Sequence, residues 1–571
     1  VRALRAADAA SEAARVAERA AGQLATSVER ASAWAMTGTL RLETGDTAGA
    51  REAYRRAMVE APGTAAGVEG ARGMWALPAL TPADQLQVGR IYLRHGNRQR
   101  GIAGLTAYLD GGAGTAAERA ELRLDVGRAL FESGDYAAAE RALLALAGEE
   151  GVPARVGAEA LYTAGRAQYR RGQGEAGQRT LLSVARRFPG QDAGARGLFL
   201  VGDLSHDAGQ TTRARELYRG AVESVPGLYE SGLAMMRLGG LAFLEGKHRE
   251  AAELYEEYLR SFPDGRRAEQ ALYWAARAYQ ALGEEEAAQP KLTTLRSRDP
   301  LSWYGLRAAD LLGEGFWALP LGDDPPEEDA AAGRVARAMD RLDLLEALGR
   351  ADMVDHEIGR IRRAFAGEPA LEYALAEALN ARGHTLTAIR MGWEIREREG
   401  AWNARLLRIV HPFPYRDLIL AEARERKLDP WLVAGLIRRE SVFKAGIRSP
   451  AGAVGLMQVM PPTGTGLARQ AGVRPYREAL LEQPDINVHL GTMFLRELMD
   501  RYGGRLVPVL AAYNAGPTRV ARWRELPEYA DEELFAERIP YAETRDYVKI
   551  VQAHARIYEA LYGGAVPARG E

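Results

Sequence analysis

Along the first 300 residues, small and apolar positions recur at a fixed interval. A small residue is followed 24 positions later by Pro at Gly38 and Pro62, Gly165 and Pro189, Gly202 and Pro226, Gly239 and Pro263, and Ala276 and Pro300. From Gly165 to Ala276 the step is a constant 37 residues. A second small residue falls midway (Ala50, Gly177, Ala214, Ala251, Ala288), often with Tyr four positions later, at Tyr54, Tyr218 and Tyr255. This pattern predicts helical hairpins. Small side chains let two antiparallel helices approach, the aromatic fills the space between them, and Pro stops the second helix. Turns are predicted at Gly45-Asp46, Gly134-Asp135, Gly209, Gly246 and Gly283, where Gly takes a left-handed conformation past a helix end. Two weaker copies centre on Gly89 and Gly127.

These units resemble the tetratricopeptide repeat family, with Trp34 at the expected first-helix position. The 37-residue step exceeds that family's usual ~34 residues, which implies longer helices or loops. Stacked hairpins bury a continuous core and leave a curved polar face, so the arm is expected to bind or to shape, not to do chemistry. Such arms commonly bind peptides, and a protein partner on the arm is one expectation. After Pro300 the period fails. LSWYGLRAADLLGEGF leads into a proline- and acid-rich stretch, Pro320 to Asp329, which reads as an exposed linker. Further helical patterns follow to about Gly400, and the two prolines of HPFPY (411–415) mark another boundary. The expected domains are a repeat arm (1–300), a helical linker domain (301–410) and a third domain (411–571).

Composition narrows the picture. A chain of 571 residues exceeds what one core usually organises, and abundant Ala, Leu, Arg and Glu favour an all-α protein. Lys+Arg 75 against Asp+Glu 77 leaves no field for nucleic acid or an anionic membrane, and 21 basic against 19 acidic residues from Tyr415 to Gly564 form no basic stripe. With no Cys, disulfides, thiolate metal sites and a cysteine nucleophile are excluded. No apolar run is long enough to span a membrane. The chain opens on Val1 without an initiator Met or a signal-like stretch, so a trimmed or processed start is expected.

Chemistry concentrates beyond residue 411. In KLDPWLVAGLIRRESVF, Asp429 reads as a helix N-cap and Pro430 as the first helical residue. Val433, Leu436, Ile437 and Glu440 then share one helical face, which sets a carboxylate at the end of an apolar stripe. Burial there raises its pKa toward what a general acid needs near neutral pH. A lone Glu of this kind would more often pair with Arg438 or Arg439. Its company argues otherwise: SPAGAVGLMQVMPPTG (449–464) carries three glycines that let backbone approach a ligand, and AAYNAGP (511–517) adds a Tyr and an amide.

In order and spacing, ESVF, SPAGAVGLMQVMP, INVHLG, AAYNAG and IPYAETRDYV resemble the motif series of the Slt-type lytic transglycosylases. The resemblance covers roughly the last quarter of the chain, and SWYGLRAADLL (302–312) looks like the segment before the linker helices of the family's large members. It implies a helical-repeat superhelix followed by a lysozyme-like, mostly α catalytic domain. It further implies Glu440 as the single acid and base, with Ser441 its motif neighbour. Ser449 would meet the substrate's N-acetyl groups, Gln458 and Met460 would line the cleft, Tyr513 and Asn514 would flank the carboxylate, and Glu543 matches the second acid of the pattern. Asn487 and Gly491 look structural. Tyr513 either orients Glu440 or packs its ring, and lining outranks chemistry for Gln458 and Ser449.

The implied reaction cuts the MurNAc-to-GlcNAc β-1,4 bond of peptidoglycan without water and leaves a 1,6-anhydromuramyl end, which implies a periplasmic enzyme. A two-carboxylate glycosidase needs a second acid about 5 to 10 Å away, and none occurs between Ser441 and Arg477. Glu543, Asp485 or an acid between Glu525 and Glu537 could still fold into that role. The alternatives are a goose-type lysozyme-like hydrolase and a non-catalytic glycan- or protein-binding scaffold. No metal or cofactor is expected: the eight His show no HExxH spacing, and His411, His489 and His554 read as loop or helix-surface residues.

Overall fold

The computed structural model describes residues 9–319, 321–324 and 328–564. Among them the chain is helical, with isolated bridges (Leu321 with Trp402, Val454 with Arg448 and Val459) in place of strands. It divides into two compact units, residues 1–238 and 239–571.

The first unit is a row of helical hairpins, among them Ser27–Glu43 with Thr47–Glu60, Ala154–Arg170 with Gly174–Arg187, and Asp192–Asp207 with Thr211–Ser224. Several starts in the unit are written in the caps: Thr26, Thr81 and Thr115 form capping boxes with Glu29, Asp84 and Glu118, and Asp46 and Asp135 accept from the backbone of the following turn. Their ends fall at Glu60, Arg187 and Ser224, each two residues before the expected Pro. The turn residues Gly45, Gly134 and Gly209 have φ of +80°, +89° and +73°. Between paired helices the small residue and the aromatic meet as expected, for a Cβ on Gly202 would lie 2.8 Å from the Tyr218 ring. The weaker copies differ in filler, since Gly89 and Gly127 face Leu105 and Leu143. Trp34 carries the Arg56 guanidinium over its ring at 4.6 Å.

The second unit continues the pattern through His248–Ser261, Ala268–Ala281 and Glu285–Arg298, with Gly239 seated over Tyr255 and left-handed turns at Gly246 and Gly283. Trp303–Leu312 follows, capped by Ser302. The stretch expected as an exposed linker is also tethered. Leu321, Gly322 and Asp323 are exposed, yet Gly322 donates its N–H to Trp402 O (2.7 Å) and Asp324 accepts from Arg405 N (2.9 Å). Pro320 and residues 325–327 lie outside the described residues. Four helices between Asp329 and Glu399 lead to a globule around Val433, Leu436, Ile437, Leu490, Leu510, Phe535 and Val548.

Within that globule the helix Pro430–Glu440 lies directly on the long helix Ala542–Tyr562. Gly435 makes this possible: a Cβ there would stand 2.8 Å from Ala555 N and 3.0 Å from Val551 O. His411 stands in a loop, as expected, but not at the surface. It is buried, not superficial, with its ring 5.2 Å from that of His554, and burial followed by the nearby Arg438 charge holds its pKa down at about 3.

Gly202→Val forces a branched side chain against the Tyr218 ring. It is expected to cost about 1–3 kcal/mol, read as a lowered urea midpoint of the repeat arm, whereas Gly209→Asn in the neighbouring turn costs much less.

Candidate active site

The Glu440 helix forms because Asp429 accepts from Trp431 N (2.9 Å) and Pro430 needs no donor partner in the first turn. Its face of Val433, Leu436 and Ile437 is fully buried, and Glu440 sits half-buried at its end. The Tyr547 hydroxyl donates to Glu440 Oε1 at 2.6 Å. Burial raises the Glu440 pKa to about 7, against the opposing pull of the Tyr547 hydrogen bond and the Arg439 charge, with Glu543 adding to the rise. Such a group is divided between acid and base near neutral pH, which suits it to give a proton and then take one.

Beyond the helix the backbone turns sharply. Val442 and Phe443 hold φ of +53° and +60°, conformations costing non-glycine residues about 1–3 kcal/mol each. Phe443 is nonetheless buried against Tyr558, and Ser441 is buried with its hydroxyl donating to Ile437 O. The motif neighbour of Glu440 therefore finishes the helix.

The glycine-rich segment folds into a tight double turn joined by Gly455 N to Ile447 O (2.9 Å) and by mutual bonds between Val454 and Val459. Ser449, half-buried, accepts from Ala453 N through its hydroxyl (3.0 Å). Gln458 takes φ +48° and donates its side-chain amide to Gly455 O (2.9 Å) and Ile447 O (3.3 Å). Asn487, fully buried, pins the whole turn: it accepts from Met457 N (2.7 Å) and donates to Val454 O (2.8 Å) and Leu481 O (2.7 Å). A Cβ at Gly455 would collide with Asn487, and one at Gly491 with Met457.

The other expected site residues divide. Tyr513 is half-buried, packs on Phe494 and donates its hydroxyl to Met457 O (2.8 Å), so its hydrogen bond braces the turn, and burial, followed by the Glu440 charge, raises its pKa. Asn514 accepts from Thr544 Oγ1 (2.7 Å) and joins its helix to Ala542–Tyr562. Met460 is exposed at the start of Pro461–Gln470, and Glu543 is exposed in the first turn of the long helix. Of the candidate second carboxylates, Glu543 is the one coupled to Glu440 among the described residues. Asp485 is exposed, Glu532 is paired with Arg505, Glu533 with Arg277 and Glu537 with Lys549. No cluster of three or more His, Asp or Glu among the described residues is placed to hold a metal ion.

The residue that sequence reasoning missed is Tyr547. It lay inside IPYAETRDYV with no role, although it stands four residues after Glu543 and so shares that helical face.

Residues 417–535 match the transglycosylase SLT domain family, and residues 162–229, 207–266 and 270–302 match tetratricopeptide repeat families. The chain is 35% identical over 154 residues to the soluble lytic murein transglycosylase of Salmonella typhimurium, covering 27% of this chain and 24% of that protein. With the transglycosylase of enterobacteria phage PRD1 it shares 38% identity over 107 residues, 19% of this chain and 36% of that one. In sequence, the chain thus spans about a quarter of the length of its bacterial relative. In fold the likeness is wider. The 70 kDa soluble lytic transglycosylase solved with bulgecin A superposes with a TM-score of 0.67 at 19% identity, over 97% of this chain and 86% of that one. An inactive mutant of the lytic transglycosylase Slt from Pseudomonas aeruginosa gives 0.61 at 21%, over 92% and 81%. The chain carries a tetratricopeptide-like helical arm and an SLT domain of lysozyme-like fold.

A carboxyl whose pKa is higher folded than unfolded favours the folded state when protonated, and that advantage is lost as pH rises from about 4.5 through about 7. Glu440→Gln removes the charge, so it is expected to raise folding stability at pH 8 by up to about 3 kcal/mol and to change it little at pH 4. Denaturant titrations at the two pH values check this.

Proposed function

We propose that the chain is a lytic transglycosylase cleaving the β-1,4 bond between MurNAc and GlcNAc of peptidoglycan and leaving a 1,6-anhydromuramyl end. The observation that carries this reading is the half-buried Glu440 carboxyl, poised at a pKa of about 7 and held by Tyr547. Protonated, Glu440 gives its proton to the glycosidic oxygen as the C1–O bond breaks and positive charge grows on the muramyl ring. The resulting carboxylate then takes the proton of the muramyl C6 hydroxyl, whose oxygen closes onto C1. One bond breaks, one forms, and the proton lost in the first step returns in the second, so no water is consumed.

Tyr547 serves the first step, because its hydroxyl donates to the carboxylate and stabilises the charge left after the transfer. Exposed Met460 and Glu543, and half-buried Ser449 and Asn514, are assigned to contact the glycan. Gln458 and Tyr513, whose donors are engaged by backbone carbonyls, hold the cleft wall. We assign residues 411–571 to the catalytic domain, 301–410 to the linker and 1–300 to an arm that presents the domain to glycan or to a protein partner. Peptidoglycan as substrate puts the working enzyme in the periplasm; no helix among the described residues is long and apolar enough to cross a membrane.

The deciding experiment is mass spectrometry of muropeptides released from purified sacculi by the wild type and by Glu440→Gln. Anhydromuramyl ends from the wild type, and a loss of at least about 100-fold in the variant, are expected for removal of a general acid. Reducing ends would overturn the transglycosylase reading and give Glu543 the role of a base toward water. No product from the wild type would leave a glycan-binding scaffold.

A further inference from the structure

The mechanism above makes no use of a buried polar cluster in the second unit, where the final repeat hairpin meets the helices Glu532–Arg538 and Ala542–Tyr562. Glu537, only 8% exposed, accepts from Trp274 Nε1 (3.2 Å), the Tyr304 hydroxyl (2.7 Å) and Lys549 Nζ (2.6 Å). Lys549 also donates to the Tyr304 oxygen (2.6 Å) and stands over the rings of Tyr304 and Trp303. One turn back, Glu533 accepts from the Tyr273 hydroxyl (2.8 Å) and pairs with Arg277. Burial would raise the Glu537 pKa, but Lys549, Tyr304 and Trp274 together hold it below its ordinary value.

Glu537 and Lys549 belong to the domain that carries Glu440, whereas Trp274 and Tyr304 belong to the repeat hairpin and to the helix after it. Two residues from outside the domain therefore complete a buried ion pair within it. Remove their donors and Glu537 loses two of its hydrogen bonds in a place barely exposed to water. Lys549 lies two residues beyond Tyr547 on one continuous helix, so a restraint on Lys549 bears on the axial position and rotation of the helix that carries Tyr547.

We propose that Trp274 and Tyr304 are positioning residues for the cleavage reaction: by clamping Glu537 and Lys549 they hold the helix that seats the Tyr547 hydroxyl on Glu440. The proposal rests on the reading of Glu440 as the acid and base. The groups that bear on Glu440 are Tyr547, Arg439, Glu543 and Tyr513, none of them on the arm. An arm substitution that moves the Glu440 titration must therefore act through the helix.

The test is the pH dependence of initial cleavage rates on a soluble glycan strand, with the full chain. Tyr547 donates to the ionised carboxylate, so a looser Tyr547 raises the Glu440 pKa and moves the alkaline limb of the profile upward. Tyr304→Phe, which keeps the ring, is expected to lower kcat about fivefold with KM within about twofold, and to move the limb up by about half a pH unit. Tyr547→Phe moves it further in the same direction, and adding Tyr304→Phe to Tyr547→Phe changes nothing more, because no hydroxyl remains to be positioned. Asp310→Asn, which cuts the exposed Arg556 ion pair at the same junction, leaves the profile unchanged. Trp274→Phe provides the same comparison should Tyr304→Phe lower the folded fraction.

An unshifted Tyr304→Phe profile beside a shifted Tyr547→Phe profile overturns the positioning role, as do two shifts that add in the double variant. Full activity in Glu440→Gln overturns the reading of the site, a distinct result.

Discussion

Glu440 and Tyr547 ride on two different helices, and their 2.6 Å hydrogen bond holds only as long as those helices keep their crossing. That crossing is set at Gly435, where the Pro430–Glu440 helix meets the backbone of Val551 and Ala555 with no side chain between them. A backbone-to-backbone contact is stiffer than one mediated by long side chains, because neither partner has rotamers to yield. The rest of the domain is arranged around this pair. Asn514 and Thr544 tie a third helix to it, and Asn487 anchors the turn whose Met457 carbonyl receives Tyr513.

The site itself works against stability. A half-buried carboxyl that ionises near pH 7, left-handed Val442 and Phe443 just beyond Ser441 and a third such residue at Gln458 all raise the energy of the folded chain. They are tolerated because the surrounding core is dense and the turn's polar groups are engaged by Asn487 and by the backbone. On the proposed mechanism the strain gathers at the point where the carboxyl changes protonation, which is what pre-organisation looks like in a static structure.

Much of this was legible beforehand, for definite reasons. The repeats announced themselves because a hairpin stack reuses one steric solution, and Gly202 over Tyr218 or Gly239 over Tyr255 leaves the same trace each time. Asp429 and Pro430 marked the start of the Glu440 helix because cap chemistry is local. What escaped depended on contacts far apart in sequence. Tyr547 lies 107 residues from Glu440, and nothing in its neighbourhood says which hydroxyl reaches the carboxyl. The hydrogen bond of Tyr513 to a backbone carbonyl, the burial of His411 and the tethering of Gly322 to Trp402 are of the same long-range kind.

The Glu537 and Lys549 pair belongs to that class too, with a further implication. Burying two charges costs several kcal/mol per ion before their attraction is counted, and apolar residues of similar volume often serve stability as well or better. Stability alone is thus a weak reason for such a pair at the junction of arm and domain. Geometry is a stronger one. An apolar patch tolerates sliding, whereas a carboxylate sharing donors from Trp274, Tyr304 and Lys549 fits in one register. A helix that must deliver one hydroxyl to one carboxyl benefits from a junction with a single fit.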